Sequence, residues 1–320
     1  MKRLVLLLVL LLLGIGLALF CGAVKIPLSD LGHLTQVQQD IIWQLRLPRM
    51  LNAFLVGGCL ATAGALLQGV LQNPLADPYI LGISAGAGLG VAVLFLFNFF
   101  VFSVFLPFGA FGGAVLAVFA TYFIVKLTRN FSIYNFIMAG IIVNTFLAAV
   151  TMLIVYFSKE KFMGLMFWFM GNLANAELNR VVVMILLSVL VVGYTMFLAY
   201  QLNIVSVGDS EANAVGINVA GLRKKVFFIA SFLTGIAVAS GGVIGFVGLV
   251  IPHMVRLLFK YDFRVVIPVS YLLGGIFLMY MDTISRSLFS GFELPVGILT
   301  AFIGAPFFLW LMITKMRKSA

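Results

Sequence analysis

From Leu4 to Ala23 the chain runs for twenty residues without a charged side chain, and similar runs recur to its end. Inside a bilayer every backbone N–H and C=O must be paired within the protein, so such runs fold as spanning helices of roughly 20 residues. Breaks at Gly, Pro and charge place spans near 3–23, 48–70, 79–101, 107–127, 134–157, 181–201, 224–247, 252–260, 266–284 and 296–314. The expectation is an all-α polytopic membrane protein of about ten helices, one transmembrane domain over residues 1–320. The eighth segment is too short to cross alone and needs irregular backbone around 241–252. With 63% hydrophobic and 9% charged residues, the chain has too little polar surface for a soluble domain, where about 25% is charged.

The start, Met1-Lys-Arg before an apolar run, resembles a signal peptide, and Cys21 stands where a lipoprotein cleavage site could end. Phe20 occupies the position that cleavage requires to be small, and the run exceeds the usual 7–15 residues or so. It is read as a retained first span. Cys21 and Cys59 then lie in apolar helix as small hydrophobes, with neither a disulfide nor a metal implied.

The net charge of +10 fits a topology signal, since Lys and Arg collect in cytoplasmic loops. With both termini inside, thirteen of the 20 basic residues fall on one side: Lys2, Arg3, Lys126, Arg129, Arg223–Lys225, Arg256, Lys260, Arg264, Lys315, Arg317 and Lys318. Seven fall on the other: Lys25, Arg46, Arg49, Lys159, Lys161, Arg180 and Arg286. The expected orientation is N-in and C-in. No basic patch interleaves with aromatics, which argues against a nucleic-acid partner.

The sequence also echoes itself. Ala61-x-x-Gly64, nine residues and Pro74 match Ala239-x-x-Gly242, nine residues and Pro252. A shift from the second span to the seventh is odd, so the halves are expected to be inverted, with two paired helix breaks. Inverted repeats with matching breaks mark the substrate path in many transporters.

Several chemistries are missing or only apparent. No Gly-Lys pair exists, so there is no P-loop for ATP. His33 and His253 lie far apart with no acidic or Cys cluster, against metal ligation. Gly82-Ile-Ser84-Ala-Gly86 spells a nucleophile elbow, but in an apolar helix rather than a strand-to-helix turn. Its continuation through Gly88 and Gly90 reads as close helix packing. Asp282 with Arg286, and Asp77 at the first break, are the few ionisable residues at membrane depth. They form no proton ladder, which counts against a proton-coupled carrier.

Several stretches in order resemble the permeases of ABC importers for iron chelates and vitamin B12, the FecCD-like, type II importer group. They are Arg46-Leu-Pro-Arg49, Gln68 through Leu75-Ala-Asp-Pro78, Leu81-Gly-Ile-Ser-Ala-Gly-Ala87 and Phe246-Val-Gly-Leu-Val-Ile-Pro-His-Met-Val-Arg256. Asp282-x-x-x-Arg286, Leu294-Pro-Val-Gly297 and Thr300 through Pro306 complete the series, from about residue 44 to 312. The resemblance implies a ten-helix permease that pairs with a second copy of itself in a bacterial or archaeal cytoplasmic membrane. It also implies two cytoplasmic ATP-binding subunits and an extracytoplasmic binding protein. The chain itself would bind no cofactor, with ATP and Mg on the partners, and would catalyse no reaction.

Residue roles follow from the same resemblance. Arg46, Arg49 and Arg286 match outer arginines that meet acidic residues of the binding protein. The polar segment 203–222, with Gly208, Asp209, Glu211, Ala212 and Gly216, matches the loop that couples to the ATPase. Asn73, Leu75 and Met138 match an inner gate layer. Met138 stands where leucine is expected, and Ile133 and Tyr134 where small hydroxyl residues are usual. Asn144, Thr145 and Thr151 offer path-lining side chains, with core packing the alternative for each. The transported species is expected to be a bulky chelate: ferric siderophore, haem or cobalamin. An ion-coupled secondary transporter and an intramembrane serine hydrolase using Ser84 are the alternatives.

Overall fold

A computed structural model describes residues 2–22, 24, 26–27, 33–97, 105–129, 132–157, 162–259, 261–289 and 292–319. Lys25, Lys159, Lys161, Lys260 and the expected end of the third span at 98–101 lie outside the described residues. Among these residues thirteen α-helices follow in order: α1 (Lys2–Phe20), α2 (Gln36–Asp40), α3 (Leu47–Val70), α4 (Ile83–Leu96), α5 (Phe105–Leu127), α6 (Ile133–Phe157) and α7 (Phe162–Phe169). Then come α8 (Leu178–Val205), α9 (Asp209–Ala214), α10 (Val219–Gly241), α11 (Val247–Leu258), α12 (Phe263–Ser285) and α13 (Val296–Ser319). Among the described residues there is no strand. Each of the ten expected spans coincides with one of these helices, and α2, α7 and α9 are additional short ones. Five helical stretches are individually long and apolar enough to cross a bilayer; α1, α4, α11 and α13 are shorter apolar helices.

α3 is the hub. It is apolar nearly all round, as a helix buried on every side must be, and it packs against α12, α10, α11 and α8. It also starts earlier than its apolar run suggests. Thr35 and Gln38 form a capping box, which opens α2. A π turn (Ile41–Arg46) then carries the helix on into α3, with Leu47 N–H donating to Ile42 O. Pro48 follows without an N–H to donate, so a register shift at this point suits the sequence.

Small residues set the helix spacing. A Cβ at Gly86 would overlap the Gly113 carbonyl, and one at Gly90 the Gly109 carbonyl. The Gly-rich start of α4 therefore lets α5 approach to backbone contact, as small residues at four-residue spacing do. By contrast α5, α6 and α8 turn large apolar side chains outward, among them Phe119, Phe146 and Phe197. That suits a surface bathed in lipid or covered by another apolar chain.

Two discontinuities interrupt the bundle. The first, residues 71–82, lies between α3 and α4; the second, 242–246, between α10 and α11. The expected pairing is corrected in one respect. Pro74 sits in the first break, but Pro252 lies inside α11, where it is accommodated by a partner for the carbonyl it leaves free. The real correspondence is at the N-caps. Gly82 before α4 and Phe246 before α11 both adopt left-handed backbone, at φ 82° and 68°.

Candidate functional site

The polar chemistry gathers in three places: one end of the bundle, the opposite end, and the two breaks between them.

At one end the three predicted arginines gather, and two of them, Arg49 and Arg286, meet acids. Arg49 Nε donates to both Asp282 oxygens at 2.9 and 3.0 Å, and Nη2 to Oδ1 at 2.8 Å. Arg49 Nη1 reaches Glu293 Oε2 at 2.8 Å. Arg286 pairs with Asp282 at 3.5 Å from one turn away and donates to Ala18 O. Arg46 donates to Leu19 O at 2.7 Å and to Val24 O. Together Arg46 and Arg286 supply donors to the C-terminal carbonyls of α1, groups that a helix end leaves unpaired. Arg46 and Arg286 are only 5% and 4% exposed, whereas Glu293 is an exposed side chain. The arginines expected on an outer docking face are thus turned inward, and Glu293 is the charge at the surface. Sequence order did not show this, because Asp282 lies 233 residues beyond Arg49.

The first break is built from its own side chains. Asn73 Oδ1 accepts from Leu75 N–H at 2.9 Å. Asp77 Oδ1 accepts from Tyr79 N–H at 2.8 Å, capping a 3-10 turn (Pro78–Leu81). Asp77 is therefore a capping residue. Leu75 is 54% exposed at the tip of the turn.

Two side chains bind this break to the second and to the first turn of α11 that follows it. Tyr79 Oη donates to Ile244 O at 3.2 Å and accepts from Ile244 N–H at 3.1 Å. Gln68, near the end of α3, donates to Ala76 O at 3.3 Å, Gly248 O at 3.3 Å and Leu249 O at 3.1 Å, and accepts from Arg256. Pro252 has no N–H for the Gly248 carbonyl, its i−4 partner, and Gln68 supplies the missing donor. Sequence reasoning missed Gln68 as a functional bridge. The available signal was Pro252 itself, which obliges some other group to satisfy that oxygen.

At the opposite end Arg3 donates to Leu258 O, so the start of α1 and the end of α11 lie together. Residues 203–205 belong to α8, and α10 begins at Val219, so the polar segment is narrower than expected. Its centre is α9. Ala212 is buried, while Glu211, Val207 and Val215 are exposed. Gly216 takes φ 84° with open space around it, and Gly208 sits at φ 170° against the Glu211 carboxylate. Asp209 Oδ2 accepts from Arg223 Nη2 at 2.6 Å, and Oδ1 from Gln72 Nε2 at 3.1 Å.

The path-lining candidates separate. Asn144 and Thr151 border a cleft of about 590 Å³ with Ser84, Phe169 and Val243. Thr145 lies on the exposed side of α6, and Met138 is half-buried. A second cleft, about 660 Å³, shares Phe169 and Val243 and is walled by α13. Neither has a charged lining residue. Ser84 lies in the first turn of α4, not on the strand-to-helix elbow a serine hydrolase needs. Among the described residues no three His, Cys, Asp or Glu side chains cluster as a metal would require.

This ordered arrangement, with polar ends, two breaks and uncharged clefts, has counterparts among known proteins. The FecCD transport family matches residues 7–314. The chain belongs to that family. It is 41% identical over 280 residues to a cobalamin import system permease of Halobacterium salinarum, covering 87% of this chain and 74% of the relative. It is 34% identical over 324 residues to the hemin transport system permease of Yersinia pestis, covering 98% and 95%. A solved structure described as the inward-facing conformation of a metal-chelate type ABC transporter superposes with a TM-score of 0.86 at 33% identity. It covers 98% of this chain and 99% of the other. The FecCD chain is thus a membrane permease of an ABC importer, and ATP hydrolysis belongs to separate subunits.

Proposed function

We propose that this FecCD permease forms half of a homodimeric importer that moves a bulky metal chelate into the cytoplasm by alternating access. The family match across residues 7–314 carries this reading. The uncharged cleft beside Asn144 supports it, because a chelate or corrinoid brings its own internally neutralised metal. Leu75, apolar yet exposed at the tip of the first break, is explained by a second copy that covers it. With Asn73 and Met138 it forms the inner gate layer, and Asn144 and Thr145 line the path.

On this reading α9 docks on an ATP-binding subunit through Glu211 and its flanking valines, with Gly208, Asp209, Ala212 and Gly216 shaping the turn. The end that carries Glu293 and Arg49 receives the binding protein, and Arg46 and Arg286 stiffen that rim from beneath. The excess of basic residues on one side favours an orientation with both chain termini in the cytoplasm. Complementary charge at such a rim orients the partner and speeds its arrival.

The test is reconstitution in proteoliposomes with the ATPase and binding protein, and uptake measured against a panel of cobalamin, haem and ferric chelates. ATP-dependent uptake competed by one chelate class is expected. Uptake that needs no ATPase and follows an imposed ion gradient would replace this reading with a secondary carrier.

A further inference from the structure

We infer that Gln72 is a positioning residue through which α9 moves the first break. This rests on the coupling reading of α9 given above.

Gln72 is one of three described non-glycine residues with positive φ, at 49°. That conformation costs about 1–2 kcal/mol for a side chain such as this, so something must hold it. Its Nε2 does so, donating to Val205 O at 2.7 Å and to Asp209 Oδ1 at 3.1 Å. Val205 is the last residue of α8, where the helix leaves its carbonyls unpaired. Asp209 is the first residue of α9, and its second oxygen holds Arg223 of α10 at 2.6 Å. The Asp209 carboxylate is therefore a junction. One oxygen reaches the first break, the other reaches the helix that leads to the second, and the residue itself belongs to α9.

The energetics suit a linkage better than a brace. The Asp209 side chain is 43% exposed, and ion pairs of that kind contribute only about 0–1 kcal/mol. Geometry, however, is demanding. Helix shifts at interfaces run to about 1–2 Å, and a hydrogen bond near 3 Å does not survive stretching by that amount. When α9 moves, Gln72 must follow or let go. Asn73, the next residue, organises the tip that carries Leu75 through its own side-chain bond. Displacement of α9 is thus delivered one residue from the proposed gate.

The experiment uses the full complex in proteoliposomes and reads ATP hydrolysed per substrate imported. Gln72→Ala should raise that ratio about tenfold while the ATPase still copurifies in wild-type amount. Gln72→Ala with Asp209→Ala should be no worse than Asp209→Ala alone, as expected when the Gln72 link is already lost with its acceptor. Gln72→Glu sets two carboxylates together and should uncouple more severely, with Asp209→Asn restoring coupling. An unchanged ratio in Gln72→Ala, or effects at the two positions that multiply, would overturn the inference. Should Gln72→Ala fail to assemble, the pair Gln72→Glu and Asp209→Asn decides, and absence of recovery rejects it. Ala214→Arg on the exposed side of α9 separates the two levels. If that variant still captures the ATPase, the coupling reading of α9 itself falls. If capture is lost and Gln72→Ala leaves the ratio unchanged, only the link is wrong.

Discussion

The two helix breaks solve the same problem by opposite means. In the first, residues 71–82, the backbone is paired by nearby polar side chains: Asn73 on Leu75, Asp77 on Tyr79 and Gln68 on Ala76. The second, Gly242-Val-Ile-Gly-Phe246, has no polar side chain at all. Its Ile244 amide and carbonyl both depend on Tyr79 of the first. The turn at 73–79 in the first break is shaped locally, with Gln72 its tie to α8 and α9; the shape of the second break is borrowed. A segment that carries its own hydrogen bonds can shift as a unit without exposing unpaired backbone to an apolar interior. One that borrows them moves only with its lender.

The sharpest way to break this contrast is at Gly242. Its φ is 72° and a Cβ there would lie 2.5 Å from the Trp168 carbonyl oxygen. Gly242→Ala combines left-handed strain with backbone overlap and should cost upward of about 3 kcal/mol. Thermal unfolding of the detergent-solubilised permease would register it, and a near-normal midpoint would show that the second break can reshape itself. Next comes Tyr79→Phe, which strips both partners from Ile244, a residue only 1% exposed. A loss of about 2–3 kcal/mol is expected, with faster amide hydrogen exchange confined to the second break. Exchange rising equally in both breaks would mean that neither is self-sufficient.

Gly82→Ala should be milder, about 1–2 kcal/mol from φ 82° alone. Its added Cβ would meet the Val143 side chain at 3.2 Å, with the Gly140 carbonyl oxygen at an ordinary contact distance of 3.5 Å. A Gly82 variant as damaging as the Gly242 one would erase the asymmetry. The smallest effect belongs to Asp77. Asp77→Asn keeps an acceptor for Tyr79 N–H and should change the unfolding midpoint by a few tenths of a kcal/mol, while Asp77→Ala costs about 1. Equal effects from the two would remove the capping role.

This asymmetry also explains what the sequence made legible. The ten apolar segments overlap helices because an apolar run in a bilayer must pair its own backbone groups. The first break announces itself through two prolines, an asparagine and an aspartate. The second was expected nearby but anchored on the wrong residue: Pro252 caught the eye, while the turn rests on Gly242 and Phe246. A hydrophobic pentapeptide gives no local sign that a tyrosine 165 positions away completes it. The arginines show the same limit. Their common side of the membrane follows from charge counting, but their burial depends on Asp282 and on the end of α1, which only the fold brings near. Gln68 and Gln72 were given no role because an amide in a polar stretch looks ordinary until its acceptors are known.

The rim of arginines has a consequence for how the chain is made. Arg46 and Arg49 leave the ribosome long before the carboxylate that neutralises Arg49, since Asp282 follows it by 233 residues. Until that residue arrives, α1 lacks one of the two guanidinium groups that tie down its end, and α3 carries an unmatched charge. A burial site for an unpaired cation is costly, so this edge of the bundle closes only once α12 is in place. A chain truncated before Asp282 would lack the clasp together with the end of α12, against which α3 packs. Its exposed arginine would distinguish an unfinished permease from a complete one.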